Sequence, residues 1–312
     1  MPAPPPGRLV PIDTHRLHLH CSGEGRPTVV FDAALGASSL SWSLVQPQVA
    51  RFTQACAYDR AGFGWSEAGP MPRTAGRIAN ELHRLLQRAD VLPPYVLVGH
   101  SFGGLVARLF AARHPGDVVG LVLVEPAIPE DWTTPSAERQ RLINRGTQLC
   151  RIGAGTARLG IARLVALLVR IGARGAARGL VSMVSRGGLR REDEGLLAPV
   201  SKLPPEARAV VGAAWTQPKF FNALGSQIAT ICGSAAEVQR EAPASFGDLP
   251  VTVISARRSD QFRLAADRTL AGLSTRGRHV VADDSGHWVP LDAPQVVIDA
   301  VRDMVSGIRS SS

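Results

Sequence analysis

The sequence predicts an α/β protein, with a mostly parallel sheet covered by helices on both faces and a helical segment inserted into it. Three observations carry this. Short runs of apolar and β-branched residues recur at 28–31, 55–58, 95–98 and 121–124. Helix-period stretches separate them, and each strand-like run is apolar throughout, as strands buried on both faces are. The pattern breaks near Pro126 and resumes at 251–254 and 279–282. The expected organisation is therefore a sheet domain over 1–126 and 248–312, with a helical cap over 127–247.

Residues 1–7 are Pro-rich and read as a frayed extension. Strands follow at 9–12 and 16–21. The second alternates Leu17 and Leu19 with Arg16, His18 and His20, the period of a half-buried strand. Gly23-Glu24-Gly25 reads as a turn, and 40–50 as a helix. The strand at 55–58 runs into a Gly-punctuated loop, Asp59-Arg60-Ala61-Gly62-Phe63-Gly64-Trp65-Ser66. Ile78, Leu82, Leu85, Leu86 and Ala89 fall at helical spacing after a capping Thr74, and Pro93-Pro94 stops that helix. Helices are also expected from Gly103 onward and over 294–304.

Composition sets limits. At 312 residues with 45% hydrophobic residues, the chain can build a large core and is not expected to be disordered. Its net charge of +9 is almost all arginine, with Lys202 and Lys219 the two lysines. No zinc-finger spacing or RNA-binding signature accompanies the charge, so nucleic acid is not an expected partner. Cys21, Cys56, Cys150 and Cys232 are far apart and form no CxxC pair, which reads as reduced, buried thiols. The N-terminus lacks the pattern of a signal peptide, and no 18-residue apolar run is present, so a cytoplasmic location is expected.

The chemistry centres on Gly99-His100-Ser101-Phe102-Gly103, a G-x-S-x-G pattern between an expected strand and an expected helix. A serine on such a sharp turn needs small residues two before and two after it, and the turn lifts its hydroxyl above the sheet. A serine needs a base. His287, in Ser285-Gly286-His287-Trp288 after the last expected strand, is the candidate. Two carboxylates compete to orient that imidazole. Glu125 ends the strand at 121–124, and Asp260 follows the strand at 251–254. Either could reach it from the same sheet edge, and Glu125 is the preferred of the two.

These segments resemble the α/β-hydrolase superfamily, and more narrowly bacterial hydrolases with a YDRAGFGWS-like loop, here residues 58–66. The resemblance covers the sheet domain and leaves the insertion unmatched. It implies an eight-stranded sheet with a lid inserted after strand six. Many relatives place the acid in a G-x-x-D-like turn after strand seven; here that turn, Ala256 to Asp260, lacks the glycine. Others, haloalkane dehalogenases among them, carry a carboxylate after strand six, where Glu125 falls. The nucleophile here is serine rather than aspartate, so dehalogenation is not implied. Where many relatives have His-Gly after strand three, this chain has Ala33-Ala34-Leu35-Gly36. The resemblance still implies an oxyanion site formed by the amides of Leu35 and Phe102. It points to ester cleavage through an acyl-enzyme, without metal or cofactor. The alternatives are peptide or aminoacyl, lactone or C–C bond hydrolysis, or a non-catalytic binding protein on this scaffold.

Other features read less sharply. His15, His18 and His20 read as a solvated strand face rather than a metal site, since no carboxylate or thiol is in register. Asp283-Asp284 reads as a solvated turn. Trp42, Trp65 and Trp288 are candidate pocket walls, with core packing an equal reading. Arg163, Arg170, Arg174 and Arg178 would form one basic face opposite Leu and Val on a helix. That face suits a lid over an apolar pocket, the favoured use, or weak contact with anionic membrane. A lid with an apolar inner face implies a small-molecule substrate with an apolar acyl or alcohol group. Glu192, Asp193 and Glu194 could hold a substrate amine, although Arg190 and Arg191 adjoin them.

Overall fold

The computed structural model describes residues 6–170 and 198–311. Eight strands form one sheet: β1 (Arg8–Ile12), β2 (His15–Ser22), β3 (Thr28–Asp32), β4 (Ala55–Tyr58), β5 (Tyr95–His100), β6 (Val118–Val124), β7 (Val251–Ala256) and β8 (Gly277–Ala282). Their order is β1-β2-β4-β3-β5-β6-β7-β8. β2 is antiparallel to β1 and β4, and all other neighbours are parallel. The loops leaving β3 to β8 therefore emerge on one edge of the sheet. This is the α/β-hydrolase architecture that the motifs implied.

Alternation along each strand divides the core in two. Val30, Leu97, Leu121 and Leu123 face one way, against α2 (Ala75–Arg88) and α3 (Phe102–Arg113). Val29, Phe31, Val96, Val98 and Val122 face the other way, against α1 (Gln46–Val49) and the C-terminal helix Pro294–Arg309. Because both faces are covered, β3, β4 and β5 are buried at every position.

Between β6 and β7 the described residues form helices: α4 (Glu130–Thr133), α5 (Ala137–Arg158), α6 (Ile161–Arg170), α7 (Ala198–Lys202), α8 (Pro205–Ala214), α9 (Pro218–Ala229) and α10 (Ile231–Glu241). Arg174, Arg178 and the 190–194 cluster lie outside the described residues. α10 caps α2: Ser234 Oγ and Glu237 Oε2 accept from the amides of Ala75 and Gly76 at 3.0 and 2.8 Å, donors that the first turn of a helix leaves unpaired. α9 seats on the 59–66 loop, where Phe220 meets Phe63 edge-on at 5.6 Å and Lys219 Nζ donates to Ser66 O at 2.6 Å. Among the described residues, no helix is long and apolar enough to cross a membrane.

Several expectations need correction. Cys21 and Cys56 are not free thiols; they form a disulfide. They sit directly opposite each other in the antiparallel β2–β4 pair, a register that brings two distant residues together. Cys150 and Cys232 are free. The histidines of β2 are not a solvated face either. His15 and His18 are buried: His15 Nε2 lies 3.8 Å from Glu81 Oε1 of α2, and the 59–66 loop folds over β2 and places Asp59 Oδ2 3.0 Å from His18 Nδ1. The stretch expected as a helix over 40–50 is broken: a 3-10 turn at Ser39–Trp42, then the short α1 with Pro47 in its first turn. A helix not anticipated, α11 (Gln261–Ala271), follows β7. The remaining helices are α12 (Val289–Asp292) and α13 (Pro294–Arg309).

Candidate active site

β5 ends at His100, and the chain reverses at Ser101 into α3. Ser101 adopts φ 54 and ψ −114, a conformation that costs a non-glycine residue on the order of 1–3 kcal/mol. Close packing holds it there. A Cβ at Gly99 would run into the Gly103 carbonyl, and one at Gly103 would lie 2.5 Å from Asp32 O. The Ser101 amide donates to Val124 O at 2.9 Å, and its carbonyl accepts from Ala127 N at 3.0 Å, so the turn is clamped to the end of β6. The side chain stands at the N-terminus of α3. Among the described residues Ser101 Oγ makes no hydrogen bond, to His287 or otherwise; in unliganded sites such bonds are often formed only once substrate is held.

Glu125 follows β6 with φ 44, another left-handed non-glycine residue, and its amide donates to Ile254 O at 2.7 Å. The carboxylate is buried. Oε1 accepts from Ala256 N at 2.7 Å and from Ser259 Oγ at 3.0 Å, and Oε2 lies 3.2 Å from His287 Nδ1. Burial pushes this carboxyl up, but the bonds from His287 and the Ala256 amide, with the charge of Arg263, outweigh it and hold the group below the ordinary carboxylate range. An ionised Glu125 accepts from Nδ1–H and leaves Nε2 as the basic atom of the ring.

His287 lies in the loop between β8 and α12. Gly286 N donates to Asp292 Oδ2 at 3.1 Å, and the His287 carbonyl accepts from His100 Nε2–H at 2.7 Å. The two imidazoles are 5.0 Å apart, centre to centre. His100 is fully buried, and burial, aided by the neighbouring His287, pushes it down to about 3. It is a neutral donor that ties the histidine loop to the residue preceding Ser101. The sequence reading passed over it, although its place inside the G-x-S-x-G motif was a usable signal.

The loop after β3 carries Leu35. Among the described residues, neither its amide nor that of Phe102 donates to another protein group, so both remain available to an anion. Arg60 and Asp59, from the Gly-punctuated loop, brace this region. Arg60 Nε donates to Asp32 Oδ1 at 2.8 Å and its Nη atoms to the carbonyls of Ala33 and Ala34. Asp59 accepts from the amides of Ser39 and Trp65 at 2.7 and 3.0 Å. Gly64, with φ 46, has no space for a Cβ because Asp59 fills it.

The other candidates fall elsewhere. Asp260 is exposed and caps α11, accepting from Arg263 N at 2.8 Å. Trp42 is a core residue, 4.9 Å from Phe31, and does not line a cleft. Trp65 packs against His18 at 4.7 Å, and Trp288 stands edge-on to His100 at 5.2 Å. Asp283 is exposed and pairs with Arg257. Away from this edge, His83, His114 and Asp117 gather ligand atoms within 4.8 Å of one another. The His83 and His114 imidazoles stack face to face at 3.6 Å, and His83 Nε2 lies 3.6 Å from Asp117 Oδ2.

The family model for the alpha/beta hydrolase fold matches residues 27–294, and the chain belongs to that family. Among curated proteins, it is similar to the uncharacterised protein YqjL of Bacillus subtilis, 38% identical over 109 residues; the match covers 35% of this chain and 43% of YqjL. Among solved structures, it resembles the epoxide hydrolase CorEH, with a TM-score of 0.70 and 20% identity over 96% of this chain and 98% of that one. It also resembles an esterase from Thermogutta terrifontis, with a TM-score of 0.64 and 18% identity over 96% and 97%. Membership supports a hydrolytic role. The shared fold does not choose the reaction; the site residues must.

Proposed function

We propose that the chain is a serine hydrolase that cleaves an ester through an acyl-enzyme on Ser101, His287 and Glu125. The observation that carries this reading is the strained Ser101 turn at the end of β5, one strand away from a buried Glu125 that holds His287 Nδ1. His287 Nε2 takes the hydroxyl proton as Ser101 Oγ attacks the carbonyl carbon. The negative charge that develops on the carbonyl oxygen is met by the amides of Phe102 and Leu35. The C–O bond to the alcohol breaks, and the alcohol leaves with the proton from His287. Water then attacks the acyl-enzyme by the same route and releases the acid.

Serine favours this over epoxide opening on chemical grounds. Attack of a serine oxygen on an epoxide carbon would leave an alkyl ether, which has no carbonyl for water to attack, whereas an acyl-serine has one. Peptide, lactone and C–C bond substrates use the same carbonyl chemistry and remain rivals within this reading. Residues 127–247 act as the cap in this proposal, and the apolar residues of the described helices there suit a small substrate with an apolar acyl or alcohol part.

The test is a rate profile across p-nitrophenyl esters of rising acyl length, with an aminoacyl anilide alongside. Turnover of the esters that Ser101→Ala abolishes supports the reading. Preference for the anilide, or ester turnover that survives in Ser101→Ala, refutes it.

A further inference from the structure

Arg60 bonds to the loop that carries one of the amides assigned to the oxyanion and lies against the ring of the residue that carries the other; among the described residues it makes no hydrogen bond to Ser101 or His287. It is almost fully buried and ion-paired with the equally buried Asp32, 2.7 Å from Nη2 to Oδ1. Such a pair is a costly way to brace a loop, because desolvation offsets most of the attraction. Its placement shows what the fork reaches. Nη1 donates to Ala34 O at 3.3 Å and Nη2 to Ala33 O. Ala34 O and Leu35 N–H belong to one planar peptide unit and point to opposite sides of it. Ala34 O also accepts from Ala37 N at 3.1 Å, so Arg60 is the second donor on that carbonyl, and the two together fix the direction of the Leu35 amide and polarise it as a donor. The Arg60 guanidinium also lies 5.0 Å from the centre of the Phe102 ring, and Phe102 supplies the other amide. The first turn of α3 abuts the same loop, since a Cβ at Gly103 would lie 2.5 Å from Asp32 O and 2.9 Å from Ala33 O.

We infer that Arg60 is a positioning residue for the oxyanion site, locking the Leu35 peptide plane and the Phe102 turn into one unit. The inference rests on the acyl-enzyme reading above. A planar five-donor fork can do this, and a lysine ammonium, a point charge, cannot. The role is exerted in the transition state, where the oxyanion exists, and not on bound ester.

The test compares wild type with Arg60→Lys, which keeps a positive charge beside Asp32. Active sites are counted by fluorophosphonate labelling of Ser101, and rates are expressed per labelled site. The expected result is a fall in kcat of about 10²-fold with KM little changed, at the low end of what losing one oxyanion donor costs. A trifluoromethyl ketone, which forms a tetrahedral adduct, should bind more weakly by a similar factor, while the matching methyl ketone is unaffected. If Arg60→Lys does not fold, the neutral pair Asp32→Asn with Arg60→Gln is used, with the same readouts. Wild-type kcat per site and unweakened ketone binding would overturn the inference and leave the serine reading standing. A wild-type chain that takes no label at Ser101 would overturn both.

Discussion

Glu125 Oε2 lies 3.2 Å from His287 Nδ1, although 162 residues separate the two in sequence. The parallel register explains the meeting. β6 and β8 flank β7, so Glu125 at the end of β6 and the loop after β8 open on the same edge. Asp260, the rival, leaves β7 on that edge too, but its carboxylate is spent on the first turn of α11. Glu125→Gln should therefore lower kcat by about 10⁴-fold, the effect of replacing a triad carboxylate by its amide. Asp260→Asn should leave kcat near wild type, because asparagine caps a helix about as well as aspartate. Steady-state kinetics on the two variants decides, and a larger loss in Asp260→Asn would reverse the assignment.

His100 makes stability pH-dependent. Its folded-state value is pushed down to about 3 from an ordinary 6.5. Between those values the unfolded chain binds a proton that the folded chain refuses, so stability is full above 6.5 and is lost as pH falls toward 3. The slope approaches about 1.4 kcal/mol per pH unit for one such group. Urea unfolding at a series of pH values should show this slope flattened in His100→Gln, which retains a donor for His287 O. An equal acid slope in both proteins would contradict the placement of His100.

The Cys21–Cys56 bond closes a loop with a sequence separation of 35. Removing it should cost about 2–4 kcal/mol, mostly by freeing the unfolded chain. Thiol titration of denatured, unreduced protein should find two free cysteines, Cys150 and Cys232. Disulfides persist where thiols oxidise and are uncommon in the cytosol of mesophiles, so this bond argues against the expected cytoplasmic location. Four free thiols in protein taken directly from its cellular compartment would favour the cytosol and remove the bond from the working structure.

What could be read from the sequence was what depends on neighbours in the chain. The apolar runs of β3 to β6, the Gly99-to-Gly103 turn and the Thr74 cap of α2 are local patterns with local causes. His18 was misread because period-2 alternation assumes that one face is wet, and the loop carrying Asp59 covers that face of β2. Cys21 and Cys56 pair because β2 joins β4 antiparallel, a fact of sheet order that spacing cannot show. The choice between Glu125 and Asp260 stayed open for the same reason. One signal was present and went unused: Asp260 before a helical stretch is an N-cap, and that role accounts for its side chain. Arg60 was visible as a motif residue, but its grip on Asp32, Ala33 and Ala34 exists only in three dimensions.

The Ser101 turn depends on its glycines. In Gly103→Ala the new Cβ would lie 2.5 Å from the Asp32 carbonyl oxygen, so either α3 or the β3 loop must shift. Kinetics should show a loss of about 10²-fold or more, the order of effect of one misplaced oxyanion donor, with a lower melting temperature. Wild-type activity in this variant would mean that the close approach of α3 to the β3 loop is dispensable.

Trapping the acyl-enzyme with a slowly hydrolysed ester, followed by intact-mass and peptide mass spectrometry of the quenched reaction, decides whether Ser101 is the nucleophile. The expected result is one acyl group per chain, on the peptide containing Ser101, absent in Ser101→Ala, whose turnover falls by about 10⁶-fold. An adduct on a carboxylate side chain, or turnover that persists in Ser101→Ala with no adduct on residue 101, would contradict it.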